Sequence, residues 1–390
     1  MKRTIILLAL ILLAVSALSA QTAMYAVSPK DARTMAMGGA FVAMSEGYQS
    51  LYGNPAAFAD SKGEFTLLSL TSWVYVKPTT ANKDMVLDLV QSLSDDPENM
   101  MALVGPLDTL ITKNGFGAGV SSGLGWVGKG LGLGIVGGGE AYLGGRTLLG
   151  ASGTVDGQVS GVVGIGVPIS IGGLRLQVGG DVHPYLRMTG EILATDILGS
   201  VMGGGEEFDP LTLPVQLGFG LAVDLGASID FGSLLSVGLA VRDISTKQNF
   251  VEKELGVVIN YLSNGSLPPG DTAQVYQPTP NITLGASLSP IPVGLRKLLD
   301  VTVTAEIQDP LRVMEEKSSL WNLFHIGAEA DLLGGFLSAR AGSNKGWISM
   351  GAGIDLLILE LNVALFTEEM GPRPGDRPRT GVSAEVAIRL

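Results

Sequence analysis

The chain has 390 residues, of which 46% are hydrophobic, 16% are charged and 55 are glycine. This length suits one large β-barrel better than an ordinary soluble domain, and the glycines lack the G-X-Y period of collagen. The formal net charge of −12 argues against nucleic acid as a partner. The absence of cysteine excludes disulfides, thiolate catalysis and cysteine-based metal sites, and two histidines leave little room for a histidine-rich metal centre.

Residues 1–20 have the order of a secretory signal peptide. Two basic residues precede an apolar stretch from Ile5 to Val15, and the small residues Ala17 and Ser19 follow. A transmembrane anchor is the alternative, but the apolar stretch is shorter than the ~20 residues that a helical span needs. The sequence therefore predicts that residues 1–20 direct export. Because no later apolar run reaches about 18 residues, it also predicts no helical membrane span.

From Glu64 onward, apolar and polar residues alternate along the chain. In 215–225 every odd position is apolar, while the even positions hold glutamine, glycine, alanine and aspartate. The same period appears in 301–308 and in the last ten residues. A period of two over this length predicts strands with one apolar and one polar face.

The alternation predicts fourteen strands joined by turns at one end and longer loops at the other. The predicted strands are 64–76, 115–126, 131–143, 157–171, 174–189, 213–229, 235–245, 279–290, 299–309, 322–332, 335–342, 346–355, 358–367 and 381–390. Short connections on one side and long ones on the other are typical of a transmembrane β-barrel. Two of the long connections contain helical patterns, 84–93 and 192–202, which we interpret as external lids or as surface helices that cover the rim.

The sequence alone leaves two assignments for the apolar strand faces. An exported soluble β-sandwich would turn them inward, whereas a membrane barrel would turn them toward lipid. The strand count is even, and the polar faces contain glycine, serine, threonine and alanine rather than lysine and glutamate. A solvated outer face would carry more charge than this. We therefore expect an all-β fold, a transmembrane antiparallel β-barrel of about 14 strands.

The segment before the first predicted strand carries a family resemblance. Residues 31–59, DARTMAMGGAFVAMSEGYQSLYGNPAAFA, resemble the N-terminal signature of the FadL/toluene-transporter superfamily and its PorV-like and TraF-like relatives. Those outer-membrane barrels carry a GAR-x-x-G-M-G-G-A segment and an N-P-A-G-x-A segment. Residues 37–40 and 54–56 match, while Asp31 and Ala57 replace glycines of the pattern.

The resemblance implies a hatch, residues 21–63, folded inside a barrel formed by 64–390. The hatch residues that it points to are Gly38, Gly39, Asn54, Pro55 and Ala56. In the FadL branch, such barrels take apolar ligands from outside and release them through a gap in the wall. The expected function is passive uptake of long-chain fatty acids or other hydrophobic compounds across the outer membrane of a diderm bacterium. The alternative is a non-transporting PorV/TraF-like barrel, the partner of another envelope protein in secretion or assembly.

Whether the hatch moves or only plugs the lumen stays open at this point. Gly38 and Gly39 permit a tight bend and Pro55 fixes φ, so the segment suits compact turns rather than a strand. Both a moving gate and a static plug agree with these properties.

Polar residues on the strand faces form a predicted lumen network. Its members are Arg175, Asp181, His183, Arg242, His325, Glu329, Arg340 and Arg389. Charges buried in a plugged lumen must pair, and the arginines supply the partners. A metal-binding or proton-relay role for the two histidines is the alternative, and the sequence predicts no metal. Glu368 and Glu369 are expected in an outer loop.

Two glycine motifs match enzyme signatures by pattern alone. Gly132-x-Gly134-x-x-Gly137 fits a dinucleotide fingerprint, and Gly119-x-Ser121-x-Gly123 fits a nucleophile elbow. Each chemistry requires a helix directly after the glycines, yet both motifs lie within strand-like sequence. The sequence therefore predicts no catalytic residues and no cofactor.

Overall fold

The computed structural model describes residues 23–24, 27–60, 62–77, 104–171, 174–195 and 209–390. The predicted signal peptide 1–20 and the helical pattern 84–93 lie outside these residues. Most of the helical pattern 192–202 also lies outside these residues. Of its described part, residues 192–193 end a strand, so the predicted start was wrong, and residues 194–195 are helical as predicted.

Fourteen antiparallel strands form one closed ring. They are β1 Glu64–Tyr75, β2 Phe116–Gly128, β3 Leu131–Gly144, β4 Ser152–Ile171, β5 Leu174–Leu193, β6 Pro214–Phe231, β7 Leu235–Ser245, β8 Asn281–Leu288, β9 Leu299–Gln308, β10 Phe324–Leu332, β11 Leu337–Asn344, β12 Trp347–Asp355, β13 Leu359–Glu369 and β14 Pro378–Arg389. Each strand pairs with the next along the chain, and β14 closes the ring by pairing with β1, where Ser383 lies opposite Trp73. The predicted fourteen-stranded barrel is confirmed.

The apolar strand faces point outward. On β6, Phe219, Leu221 and Leu225 are exposed, whereas the alternating residues Gly220 and Asp224 are buried in the lumen. The same arrangement holds around the ring, because most of the large exposed hydrophobic residues lie on strands. An apolar exterior around a polar interior is the reverse of a soluble sandwich and is the arrangement of a membrane-spanning barrel. None of the helices that the structure describes is long and apolar enough to cross a membrane.

Connections at the long-loop end carry further structure. Of the described helices, α1 Ala32–Ala36 belongs to the hatch, while α2 Val104–Lys113, α3 Leu255–Ser263 and α4 Pro310–Glu315 lie in these connections. The connection 246–278, predicted as a loop, contains two short strands, Gln248–Glu254 and Gln274–Pro278, which pair with each other. The first of them also extends the wall by pairing with β6. Helix α3 covers the outer side of β6, because Val258 packs against Val215 and Leu217.

Residues 27–60 of the hatch lie inside the ring and contribute a large share of the buried hydrophobic residues. The hatch contains α1 and three short 3-10 turns, Val42–Met44, Gly47–Leu51 and Pro55–Ala59. One cluster joins hatch residues Tyr48, Leu51, Tyr52 and Phe58 to the wall residues Val127, Val136 and Val162. Wall glycines allow the close approach, since a Cβ on Gly342 would collide with the backbone of Met37.

Candidate functional site

The hatch begins with a capped helix. Asp31 is the N-cap of α1: its carboxylate accepts hydrogen bonds from the Thr34 N–H at 2.7 Å and from the Tyr52 hydroxyl at 2.9 Å. The helix ends at the glycine pair, where Gly38 and Gly39 have φ of 68° and 86°. An aspartate at the first position of the family pattern therefore has a structural role here.

The glycine pair is fixed against strands β10 and β11. A Cβ on Gly38 would lie 2.5 Å from the carbonyl carbon of Ser343, and the Gly38 carbonyl oxygen lies 2.7 Å from Nδ1 of His325. A Cβ on Gly39 would lie 3.1 Å from the same nitrogen. The sequence-predicted residues Gly38, Gly39 and His325 thus meet at one contact between hatch and wall.

Asn54, Pro55 and Ala56 form the second sequence-predicted hatch element. The Asn54 side chain accepts from the Ala56 N–H at 3.1 Å and donates to the carbonyl oxygens of Val42 and Ala227, each at 3.3 Å. Pro55 starts the last 3-10 turn, whose residues are all buried. This turn rests on β5 and β6, because a Cβ on Gly179 would collide with the Pro55 carbonyl oxygen.

Wall carboxylates hold the hatch backbone. Glu306 on β9 accepts from the Val42 N–H at 2.5 Å, Glu385 on β14 accepts from the Ala32 N–H at 3.3 Å, and Glu64 on β1 accepts from the Tyr48 N–H at 2.9 Å. Hydrogen bonds to a charged acceptor are about twice as strong as neutral ones. These three contacts occur at three separate strands, so the hatch is held around the ring rather than at one point.

Arg33 joins the hatch to the predicted lumen network. Its guanidinium donates to both oxygens of Glu329, at 2.6 and 2.9 Å, and Arg340 donates to the same carboxylate. Burial by itself would lower the pKa of Arg33, but Glu329 and Glu46 offset this and raise the pKa well above its usual value. Glu329 and Arg340 therefore lie together as the sequence suggested, with Arg33 as a partner that the strand pattern gave no reason to single out.

A second charged cluster lies at the long-loop end of the lumen. The ammonium of Lys30 lies 3.0 Å from Glu368 and 3.2 Å from Glu140, and Arg379 lies 2.8 Å from each of the same two carboxylates. The expectation that Glu368 and Glu369 lie in an outer loop was wrong, because both belong to β13. Glu368 faces the lumen cations, and the carboxylate of Glu369 accepts hydrogen bonds from the N–H groups of Gly371, Gly375 and Arg377 in the connection that follows. No local pattern marks this cluster, since its members come from the hatch and three strands.

The remaining network residues lie in separate places. Arg389 pairs with Glu360 and with Glu385, while Arg242 donates to the Tyr52 carbonyl oxygen. Arg175 is exposed at the short-turn end, where it lies 3.3 Å from Asp60. The structure thus divides the residues predicted as one network into several contacts.

Asp181 and His183 lie on β5 and form a distinct cluster with Asp224 on β6. The imidazole Nδ1 of His183 lies 2.9 Å from Asp181 and 3.9 Å from Asp224. Its Nε2 lies 3.5 Å from Asp243 at the end of β7. All four residues are buried in the lumen.

Two cavities lie on opposite sides of the hatch. The larger, about 580 Å³, is at the long-loop end, and Phe41, Trp73 and Phe366 contribute to its lining together with Lys30 and Arg379. The smaller, about 290 Å³, is at the short-turn end and is lined mainly by charged residues, which include Arg33, Glu329, Arg340, Glu360, Glu385 and Arg389. The larger cavity has the size of a small-molecule site.

Fold and site together define a membrane-spanning β-barrel whose lumen is closed by an internal N-terminal hatch. A closed antiparallel barrel with an N-terminal segment inside its lumen is the fold that the sequence analysis expected, and that fold is confirmed. No protein-family model matches the chain, and no curated protein matches it.

Several solved structures are similar to this chain over most of its length. The toluene transporter TbuX of Ralstonia pickettii is 13% identical, with 93% of this chain and 98% of that chain covered and a TM-score of 0.49. The toluene transporter TodX of Pseudomonas putida is 11% identical, with 94% and 99% covered and a TM-score of 0.46. A FadL homologue of Pseudomonas aeruginosa is 12% identical, with 94% and 99% covered and a TM-score of 0.43.

Proposed function

We propose that the chain is an outer-membrane channel for passive uptake of hydrophobic compounds, long-chain fatty acids among them. The observation that carries the proposal is the division of the lumen by the hatch. The cavity of about 580 Å³ on the long-loop side has the aromatic side chains of Phe41, Trp73 and Phe366 in its lining, which suits an apolar ligand. Lys30 and Arg379 in the same lining are neutralised by Glu140 and Glu368. On this proposal, residues 1–20 direct export, 21–63 form the hatch and 64–390 form the barrel of a diderm outer membrane.

The charged side chains on the short-turn side of the hatch argue against passage of such a ligand straight through the barrel. The cavity of about 290 Å³ at the short-turn end is lined mainly by charged and polar side chains. Moving an apolar molecule into contact with buried ion pairs would separate charges that have no other partner there, which is unfavourable. Release sideways into the membrane avoids this, as in the FadL branch that residues 31–59 resemble.

The strand pairing of the wall is interrupted at one place, which suits sideways release of a ligand. Strands β4 and β5 pair at Ser160 with Tyr185 and again at Val163 with Val182, but not at the two positions between. Pro184, which lacks an N–H, occupies one of these positions. The intervening Val162 packs in the same cluster as Phe58 of the hatch, so the hatch covers the interruption from inside.

An engineered disulfide between hatch and wall tests the proposal. A Cβ on Gly285 would lie 3.2 Å from the Cβ of Ala43, near the separation that a disulfide needs, and the chain has no other cysteine. Cells that express Ala43→Cys/Gly285→Cys should take up labelled oleate and toluene under reducing conditions and lose most of this uptake after oxidation. The single variant Ala43→Cys should respond to neither treatment.

Two outcomes of this experiment contradict the proposal. Uptake that is equal in oxidised and reduced cells would show that the hatch does not move during transport. Wild-type cells that take up oleate and toluene no faster than cells without the protein would remove the channel function altogether.

Exposed apolar turns favour a second candidate, a non-transporting barrel that binds another envelope protein. At the short-turn end, the side chains of Leu333 and Leu357 are exposed to the surroundings. Both residues also have positive φ, 55° for Leu333 and 70° for Leu357. Leucine is unfavourable in this backbone region, where glycine or asparagine is usual, so its presence calls for a contact of its side chain. Val293, Leu295 and Leu298 are exposed in the neighbouring connection, and together these five residues form an apolar rim.

A double variant distinguishes the channel from the partner-binding barrel. Leu333→Asn/Leu357→Asn should leave barrel assembly and uptake unchanged if the chain acts only as a channel. If the barrel serves a partner, the same variant should lose a defined complex that the wild type forms in detergent extracts, measured by size-exclusion chromatography. Loss of uptake in this variant, with the barrel intact, would contradict both interpretations of the apolar rim, as a surface without a role in uptake and as a surface that binds a partner.

A further inference from the structure

Three lumen strands bring three carboxylates to one histidine. Asp181 and His183 lie two positions apart on β5, so their side chains face the same side of the sheet, and Asp224 on β6 is the direct register partner of Asp181. Asp243 joins them because of an irregularity between β6 and β7, where its backbone has φ of 59° and its N–H donates to Asp224 at 2.7 Å. None of the four is more than 8% exposed.

The cluster has more negative charge than its contacts balance. Like charges directly opposite each other on neighbouring strands are destabilising, and Asp181 and Asp224 occupy such positions. Arg242, the residue before Asp243, donates instead to the Tyr52 carbonyl oxygen and to Ser28. The imidazole of His183 is the group that contacts all three carboxylates.

One oxygen of Asp181 points independently to a missing partner. Oδ1 bonds to His183, but Oδ2 is buried and has no hydrogen-bond partner within the part of the chain that the structure describes. Asp181 as a whole is 4% exposed, so bulk water does not satisfy this atom. A buried carboxylate oxygen without a donor is unfavourable, unless a cation or an ordered water occupies the site.

We infer that Asp181, His183 and Asp224 bind a divalent transition-metal ion, with Zn²⁺ as the best fit. One ligand atom from each of these residues lies within 4.8 Å of the others, so small side-chain rotations bring all three to one ion. An imidazole nitrogen with carboxylate oxygens suits zinc and its neighbours, whereas Ca²⁺ and Mg²⁺ prefer oxygen ligands alone. Binding replaces the proton between Nδ1 and Asp181, and that proton leaves to solvent.

Asp243 fits the role of a positioning residue. Its carboxylate lies 3.5 Å from Nε2 of His183, the ring nitrogen that the metal would leave free. Histidines that bind metals almost always donate their second N–H to a carboxylate, a carbonyl or water, which fixes the orientation of the ring. The backbone irregularity at Asp243 places this acceptor beside the ring.

The metal would lie next to the turn that carries Asn54 and Pro55. A Cβ on Gly164 would approach both Phe58 of the hatch and the Cβ of Asp181, and one on Gly226 would collide with the Asn54 side chain. The ion would thus join β5 and β6 where the hatch rests on them. This inference does not depend on uptake, because a plugged structural barrel would use the same ion.

Metal titration of the purified full-length barrel in detergent tests the inference. After chelator treatment, the wild type should bind one equivalent of Co²⁺ with the visible absorption of a low-coordinate site, and Zn²⁺ should displace it. His183→Gln and Asp181→Asn should lose this spectrum, while His325→Gln, which alters the other histidine, should retain it. Asp243→Asn should weaken binding about 10- to 100-fold.

Heat-dependent mobility in gels identifies folded barrels, so that a variant which fails to assemble is not scored as a loss of binding. If His183→Gln does not fold, the nearly isosteric Asp181→Asn decides the outcome. The inference is overturned if the wild type binds no Co²⁺ or Zn²⁺, if the Asp181 and His183 variants bind as the wild type does, or if His325→Gln abolishes binding equally.

Discussion

Lys30 of the hatch and Glu368 of β13 form an ion pair of 3.0 Å across 338 positions of sequence. Glu368 also forms an ion pair of 2.8 Å with Arg379. Within the same cluster, the hydroxyl of Tyr75 donates a hydrogen bond to Glu140 at 2.7 Å. A largely buried pair of this kind adds little net stability over apolar residues, but removal of one partner is destabilising. The pair therefore specifies where the hatch sits more than how stable the barrel is.

The hatch contact at Lys30 should be insensitive to pH up to strongly alkaline conditions. Burial would lower the pKa of Lys30, but Glu368 and Glu140 raise it above its usual value of about 10.4. A raised folded-state pKa means that the stabilisation is fully present below about pH 10 and declines as the pH rises through that pKa. Protection of the hatch from protease should stay constant from about pH 7 to about pH 10 and should already be lower at pH 7 in Lys30→Met. A wild-type hatch that becomes protease-sensitive within this interval, with the barrel intact, would contradict the assignment.

Glu329→Gln should destabilise the attachment of the hatch. The substitution leaves the largely buried Arg33 and Arg340 guanidiniums beside each other without their shared carboxylate. Because Arg33 keeps its pair with the exposed Glu46, the expected loss is about 3 kcal/mol, the lower end of the range for a broken buried pair. The matched control is Glu316→Gln, which removes an exposed ion pair with Arg312 and should change stability by less than about 0.5 kcal/mol. Urea unfolding in detergent measures both, and equal effects would show that Arg33 does not anchor the hatch.

Gly38→Val should displace the hatch and open the lumen. A side chain at this position would collide with the Ser343 backbone, and φ of 68° is unfavourable for valine. Liposomes that contain the variant should admit small polar solutes that wild-type liposomes exclude, measured by swelling. Gly294→Val is the control, because a Cβ there meets open space and the residue lies in a turn outside the barrel. A folded Gly38→Val barrel that stays sealed would show that the glycine contact is dispensable.

A charge on the outer wall should impair assembly. Phe219 is 57% exposed and Ile307 is 39% exposed, each on a strand face that points away from the lumen. Arginine at either position should destabilise the inserted barrel by about 2–4 kcal/mol if it lies near the bilayer midplane. Met314→Arg, on α4 beyond the strands, should be tolerated, since Met314 is exposed at the long-loop end. Equal loss of folded protein in all three variants would count against a lipid-facing wall.

The sequence by itself determined the strands and their number. Alternation such as that of 215–225 depends on each residue and its nearest neighbours, and these local preferences survive in β6. The N-terminal motifs likewise predicted a compact hatch, because Gly38, Gly39 and Pro55 restrict the backbone locally. Local rules failed at residues 246–278, where pairing with β6 turned an expected loop into wall.

Only the tertiary structure decided which face of each strand meets lipid and which charges meet each other. A period of two defines an apolar and a polar face on each strand but does not determine which face points outward. Closure of the ring buries Asp224 and exposes Phe219. Lys30 meets Glu368, and Asp243 meets His183, because register, a backbone irregularity and the path of the hatch bring distant segments together. Such contacts leave no local trace in the sequence, since each partner alone is an ordinary charged residue and only its burial beside the other requires the pair.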